Sequence, residues 1–256
     1  MKFYIDDNEI KTVNTNATIR GCLSLISRSA KFSFVYNEND SNFIKYKAKI
    51  NSTVKIKNDN NKSIFSGFIT RINYMADKKL VEIEANDYFT ILLNEKVTGR
   101  FAGKIFNAVN NLLSGLKIYS NLQNIKTAVE NKLNVVSLGN LSRYDILEIF
   151  IKNLYATEEF KLYIDGDSSL NVLLPFRDNS RGDFILGENV ISAFFSKDDS
   201  LNNAFIVAIG DDNIVSGCVI RLIDKINNKK GYFTVKSDVH TYGNTHTMEL
   251  ELKERI

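Results

Sequence analysis

The stretch from Ser63 to Leu93, SIFSGFITRINYMADKKLVEIEANDYFTILL, constrains the fold most strongly. Ile64, Phe68, Ile72 and Tyr74 recur at even spacing, and Met75-Ala76-Asp77-Lys78-Lys79 interrupts them. Val81, Ile83 and Ala85 then alternate with Glu82 and Glu84. This alternation predicts an antiparallel pair with one face on a core and the other in water. Gly67 inside the first strand points to a bulge or a close backbone approach. Asp87 precedes Tyr88-Phe89, where a short helix begins, and fits an N-cap better than a catalytic carboxylate. Nothing in the stretch performs chemistry, so the chain reads as a β-rich structural or binding protein.

The same pattern dominates elsewhere. Met1 to Ile5, Glu9 to Val13, Thr18 to Ser27, Lys31 to Tyr36 and Val54 to Lys57 read as strands, with Asn37 to Asn42 as a polar loop. From Phe184 onward the chain is again β, over Val190–Phe195, Ala204–Ile209, Cys218–Ile223, Tyr232–Val239 and Thr247–Lys253. Between these regions the period changes. Phe101, Ile105, Ala108, Val109, Leu112 and Leu113 share a helical face ended by Gly115. A second helix starts at Ser142, with Asp145 placed for a capping box. A hairpin follows, with strands Lys161–Ile164 and Leu170–Leu174 around Asp165-Gly166-Asp167. Boundaries near Gly99 and Arg181-Gly182 divide the chain into 1–98, 99–182 and 183–256.

Two units look alike. Val54-Lys55-Ile56-Lys57, an Asn-rich turn, Gly67-Phe68-Ile69-Thr70 and Val81-Glu82-Ile83-Glu84 form the first. Val219-Ile220-Arg221-Leu222, an Asn-rich turn, Gly231-Tyr232-Phe233-Thr234 and Met248-Glu249-Leu250-Glu251 form the second. Either any two meanders share such a pattern, or the chain carries two copies of one small β-domain.

Candidate chemistry is sparse. There is no Gly-rich phosphate loop, HExxH or GxSxG. Cys22 and Cys218 have no metal-site spacing and read as small apolar side chains. Glu82 and Glu84 lie about 7 Å apart on one strand face, a separation open to glycosidase carboxylates, but alternating Glu is normal on a solvated face and recurs at Glu249 and Glu251. Glu158-Glu159 and Asp198-Asp199 read as loop charges. Lys45, Lys47, Lys49, Lys55 and Lys57 form a positive stripe whose default partner is water. The net charge of +3, from 33 basic and 30 acidic residues, argues for no bulk nucleic-acid affinity. The N-terminus shows no signal peptide, and no apolar run approaches the roughly 18 residues of a membrane helix.

The two histidines test for a metal. If Gly243-Asn244 is a two-residue turn, Val239 opposes Met248, Val235 opposes Leu252 and Lys236 opposes Glu251. His246 then opposes Thr241 on the apolar side, and His240 opposes Thr247 on the polar side. On that register the histidines face opposite ways and hold no metal, whereas an odd loop pairing Tyr242 with His246 would bring them to one face.

The run Gly231-Tyr232-Phe233-Thr234-Val235-Lys236-Ser237-Asp238-Val239-His240-Thr241-Tyr242, then Gly243-Asn244-Thr245-His246-Thr247-Met248-Glu249-Leu250, resembles the C-terminal signature of baseplate hub proteins. These belong to contractile phage tails and to phage-tail-like bacteriocins of the PBSX type. Phe65-Ser66-Gly67-Phe68-Ile69, Ala85-Asn86-Asp87-Tyr88-Phe89 and Leu201-Asn202-Asn203 resemble further elements of that family. The sequence departs from the pattern by being short between Ile209 and Val215. The resemblance implies an α+β, β-dominated fold, with two tail-tube-like antiparallel β-barrel or sandwich domains around a small helical middle segment. It implies a homotrimeric structural hub joining a sixfold tail tube to a threefold central spike. The partners would be the tail tube protein, the spike protein and other baseplate proteins, with nucleic acid only if DNA passes the lumen. Such a subunit would be assembled in the bacterial cytoplasm, with no membrane anchor, no cofactor and no metal, and would end in the virion baseplate. Gly67, Asp87, Gly231, His240, His246 and Met248 would then be shape-setting residues. Two other functions compete. A peptidoglycan-cleaving tail enzyme needs a convergent acid/base pair or nucleophile, and none is evident. A carbohydrate-binding wall module needs exposed aromatics on one face, yet the 11 Tyr and 17 Phe sit mostly at core-type positions and Trp is absent.

Overall fold

The computed structural model describes residues 1–10, 16–23, 27–35, 48–120, 132–154, 160–173, 180–198 and 201–255. The expected loop at Asn37 to Asn42, Lys45, Lys47 and the Glu158-Glu159 pair lie outside the described residues.

The first unit contains β1 (Lys2–Ile5), β2 (Asn8–Ile10), β3 (Asn16–Cys22), β4 (Ser29–Val35), β5 (Thr53–Lys57), β6 (Ser63–Met75) and β7 (Leu80–Asp87). The last contains β13 (Asp183–Ile185), β14 (Val190–Asp198), β15 (Leu201–Ile209), β16 (Val219–Asp224), β17 (Lys229–Tyr242) and β18 (His246–Glu254). All join in one 13-stranded sheet. In the first unit the spatial order is β3-β4-β7-β6-β5-β1, and in the last it is β14-β15-β18-β17-β16-β13. Strand for strand these orders correspond. One difference is direction: β1 is antiparallel to β5, while β13 is parallel to β16.

The bulges fix the frame of this repeat. In β6 the extra residue is Thr70, between the pairs Ile69–Ala85 and Arg71–Glu84. In β17 it is Lys236, between Val235–Leu252 and Ser237–Glu251. Val81 to Glu84 therefore correspond to Met248 to Glu251, as the sequence suggests. Gly67 and Gly231 do not correspond, because they stand at different distances from their bulges. Gly67 is a close-approach position: a Cβ there would lie 2.0 Å from the carbonyl oxygen of Asn86.

Between the units lie α1 (Phe89–Asn94), β8 (Lys96–Lys104), α2 (Ile105–Leu113), β9 (Tyr119–Ser120), β10 (Lys132–Ser142), α3 (Arg143–Leu154), β11 (Lys161–Ile164) and β12 (Ser169–Leu173). Helix α2 begins at Ile105, not Phe101, because Lys96–Lys104 pairs with β10. Phe101 packs edge-on against Phe150 from that strand, with ring centroids 5.3 Å apart. The capping box of α3 forms as the sequence implies. The Asp145 amide donates to Ser142 Oγ at 3.0 Å, and the Ser142 amide donates to Asp145 Oδ2 at 3.1 Å.

Three apolar clusters result. One lies in the first unit around Phe3, Phe32, Phe34 and Ile83. The second lies around α1, α2 and α3. The third lies in the last unit around Ile206, Ile220, Val235 and Leu250. No helix among the described residues is long and apolar enough to cross a membrane.

Gly67→Ala should cost about 3 kcal/mol, because the new methyl meets backbone rather than a movable side chain. Gly139→Ala, whose nearest neighbours are Thr98 side-chain atoms at 3.8 and 3.9 Å, is the control. Urea denaturation of both variants checks the difference.

Candidate functional site

Strand β17 changes neighbours along its length. Its first half pairs with β16, and from Ser237 to Tyr242 it pairs with β3 of the first unit. Strand β18 runs along its other edge from Phe233 to Tyr242. The two-residue turn expected at Gly243-Asn244 is instead a three-residue loop, Gly243-Asn244-Thr245, closed by the pair Tyr242–His246. Val239 therefore opposes Glu249, and His240 opposes Met248. The Lys236 bulge absorbs the extra residue, so Val235 still opposes Leu252. Lys236 still reaches Glu251, at 3.0 Å.

This register overturns the expectation that the histidines face opposite ways. Beyond the bulge, Asp238, His240 and Tyr242 turn to the buried face and Val239 is half-buried. His246, across from Tyr242, joins them. His240 Nδ1 lies 3.0 Å from His246 Nε2. Tyr242 stacks on the His246 ring with centroids 4.1 Å apart. The remaining candidates take plain structural places. Met248 is fully buried in the third cluster, across the β17–β18 ladder from His240. Gly231 pairs with Leu222, outside this group.

A loop between β15 and β16 closes over the face. The Tyr242 hydroxyl donates to Asp212 Oδ1 at 2.6 Å, and Asn58 of the first unit donates to Asp212 Oδ2 at 2.7 Å. His240 Nε2 lies 2.8 Å from the carbonyl oxygen of Ile214. A carbonyl only accepts, so the His240 proton sits on Nε2 and Nδ1 presents a lone pair. Burial pushes both imidazoles below their ordinary pKa and keeps them neutral. Burial alone would raise the Asp212 carboxyl, but the hydrogen bonds from Tyr242 and Asn58 and the nearby histidines hold it below its ordinary value. Burial, reinforced by Asp212, raises the Tyr242 phenol.

Deeper along the same face, charges from all three parts of the chain meet. Asp238 Oδ1 accepts the Ser216 amide at 2.6 Å, and its Oδ2 lies 3.8 Å from an Arg28 guanidinium nitrogen. Lys161, from β11, donates to Ser216 Oγ at 2.6 Å and to the carbonyls of Ser216 and Cys22. Burial lowers the Lys161 pKa to about 8. Gly21 leaves the space Asp238 needs, since a Cβ there would lie 2.5 Å from Asp238 Oδ1. Sequence reasoning missed Arg28, Lys161, Asp212 and Asp238. The available signal was Asp238 sharing strand parity with His240 and Tyr242.

Asp87 ties the first unit to the helical middle. Its carboxylate accepts from the Ser27 hydroxyl at 2.7 Å, the Arg28 amide at 2.9 Å and the Phe89 amide at 3.1 Å. Burial outweighs these bonds and raises its pKa to about 6. Glu82 and Glu84 are surface partners of Lys31, at 3.0 and 3.7 Å, rather than a catalytic pair. Lys57 lies over the Tyr4 ring at 5.4 Å, and Lys55 reaches Asp167 at 4.0 Å.

A family model described as YQBQ-like matches residues 187–253, the part of the chain that carries both histidines and Asp212. No curated protein sequence matches the chain. Among solved structures, a tail protein from Neisseria meningitidis MC58 superposes with a TM-score of 0.70 at 11% identity, covering 99% of this chain and 95% of that one. The 43 kDa tail protein of prophage MuSo2 from Shewanella oneidensis gives 0.70 at 13% identity, covering 98% and 95%. The chain has the fold of phage tail proteins. A type VI secretion component of E. coli, itself structurally similar to the T4 bacteriophage tail proteins gp27 and gp5, gives 0.64 at 9% identity, covering 100% and 77%.

Two outcomes follow from the buried charges. Asp238→Ala strands Arg28 and Lys161 without their carboxylate and should cost about 3–5 kcal/mol in chemical denaturation. Asp87 holds its proton to about pH 6 when folded, against 3.8 in its ordinary state. Between those values the unfolded chain binds fewer protons. Stability from this group is therefore full below about pH 4 and falls by about 3 kcal/mol as pH rises through 6. Asp87→Asn should remove that slope, as measured by urea titrations across the range.

Proposed function

We propose that the chain is a structural hub subunit, without catalytic activity, that joins a tail tube to a central spike as a homotrimer. In this proposal residues 1–98 and 183–256 are two tube-like β-domains and residues 99–182 are the segment between them. The partners are two further copies, the tail tube protein, the spike protein and other baseplate proteins. Assembly takes place in the bacterial cytoplasm, and the product is a baseplate component.

One observation carries the proposal. Inside the chain, the second half of β17 pairs with β3, edge to edge. By the repeat, β17 corresponds to β6 and β3 to β14. Yet the second half of β6 pairs only with β7, and beyond Val190, which also bridges Leu186, β14 pairs only with β15, among the described residues. Each copy thus carries one closed seam and both halves of a second, unclosed one. Three copies closing that seam in a ring would set six similar units around an axis, a heterologous interface that closes. Closure also removes two open strand edges that would otherwise invite aggregation.

The register transfers directly. His240 pairs with Ile19 in the closed seam. Tyr74, opposite Val81, holds the place of His240, and Phe195, opposite Ala204, holds the place of Ile19. Tyr74 should therefore pair with Phe195 of a neighbouring copy, and Met75 with Phe194. Exposure supports the match: Phe194 is 68% and Phe195 52% exposed, unusually high for phenylalanine.

Tyr74→Cys combined with Phe195→Cys should give, on oxidation, crosslinked species ending at the trimer, while neither single variant does. The proposal fails if the double variant yields no intermolecular crosslink. It also fails if native mass measurement, alone and with tube and spike proteins, never finds a trimer.

A further inference from the structure

We infer that Asp212, His240 and His246 form a binding site for one divalent transition-metal ion of the zinc type. The site is independent of the hub proposal and stands on its own geometry.

One potential ligand atom from each residue lies within 4.8 Å of the other two. The histidine nitrogens are 3.0 Å apart. Two nitrogens bound to one tetrahedral ion at 2.0–2.1 Å sit about 3.3 Å apart, so the imidazoles need to part by only a few tenths of an ångström. Asp212 Oδ1 lies 3.8 Å from the other His246 nitrogen, Nδ1, so the ring turns slightly and the carboxylate closes from at most 4.8 Å to bring one atom of each residue to that spacing. Its loop, Gly210 to Gly217, is held at both ends to the hairpin that carries the histidines: the Gly210 amide donates to the His246 carbonyl at 2.9 Å, and the Gly217 amide to the Val235 carbonyl at 2.7 Å.

The supporting contacts match those of metal-binding histidines. A ligating imidazole typically donates its other N–H to a carbonyl or carboxylate, which fixes the tautomer and aims the lone pair. His240 does this with the Ile214 carbonyl, leaving Nδ1 directed at His246. Gly210 seats the second ring. A Cβ there would lie 2.1 Å from His246 Cγ, so only glycine lets the imidazole stand where it does. His240 is 1% exposed, so the ion would be walled in from beneath. On the open side a cavity of about 520 Å³, lined by Asn58, Asp211, Asn213 and His246, leaves room for a water as fourth ligand.

Two nitrogens and one carboxylate oxygen suit zinc, cobalt or nickel better than calcium or magnesium, which prefer oxygen alone. The bound ion would clip the β15–β16 loop to the β17–β18 hairpin. Through the hydrogen bond from Asn58 it would brace the contact between the two units.

The test uses the 256-residue chain, stripped with a chelator and dialysed. Isothermal titration with Zn²⁺, and elemental analysis after desalting, should find about one ion per chain. Addition of Zn²⁺ should raise the melting temperature, and Co²⁺ should give the visible absorption of a nitrogen- and oxygen-ligated ion. His246→Gln and Asp212→Asn both alter partly exposed side chains, and each should weaken binding at least about tenfold. Stoichiometry well below one in the wild-type chain overturns the inference. So does unchanged affinity in both variants, which would place the ion elsewhere.

Discussion

Burying charge is costly unless the charge is paired, and the second half of β17 buries charge where a core strand normally buries methyl groups. Asp238 lies in the middle of the chain's polar interior, where Arg28 of the first unit, Ser216 of the last and Lys161 of the middle segment converge. None of the three parts supplies a neutral network alone. Their relative placement is therefore tied to electrostatic compensation as well as to the apolar clusters on either side. Tyr242 shows the same coupling from the apolar side, since it is a residue of the last unit that packs in the core of the first. The β17–β3 pairing is thus both a backbone ladder and a lid over charges that would be unstable if it opened.

Much of the architecture was legible because one face of most strands is apolar. The hairpin of β6 and β7, the strands of the last unit and the Ser142 cap all follow from periodicity and local hydrogen-bonding chemistry. The likeness of Val81-Glu82-Ile83-Glu84 to Met248-Glu249-Leu250-Glu251 was also readable, and it marks equivalent positions. Where the pattern misled, a bulge was responsible. Periodicity carried Val235 and Val239 to one face, but the extra residue at Lys236 inverts the strand, so that Asp238, His240 and Tyr242 turn inward. A single inserted residue flips every later side chain. Its position depends on pairing with β18 and β3, which no local window contains. Phe101 was misplaced for a similar reason: its helix-like spacing to Ile105 is real, but β10, the distant partner that holds it in a strand, decides the outcome.

The site was the least legible part. His240 and His246 stood out as the only histidines of the chain, but their facing depended on one residue of loop length. Asp212 and Lys161 reach the seam from other segments, and nothing in their own neighbourhoods marks them. Gly21 and Gly210 matter because of what lies against them, Asp238 and the His246 ring. These are properties of the folded chain. The repeat, in contrast, becomes more informative once folded, because the equivalent bulges of β6 and β17 assign counterparts within the repeated strands and expose a seam that has no partner among the described residues.

The central claim is that the second half of β6 is an interface waiting for the strand that β17 already has. Hydrogen exchange tests it most directly, because amide protection reports a ladder bond without any substitution. In the isolated chain, edge amides from Ser237 to Thr241 should exchange slowly, while their counterparts from Arg71 to Met75 exchange fast. In the assembled particle both sets should be slow, with β14 gaining protection at the same time. Fast exchange from Arg71 to Met75 in a confirmed assembly would contradict the account.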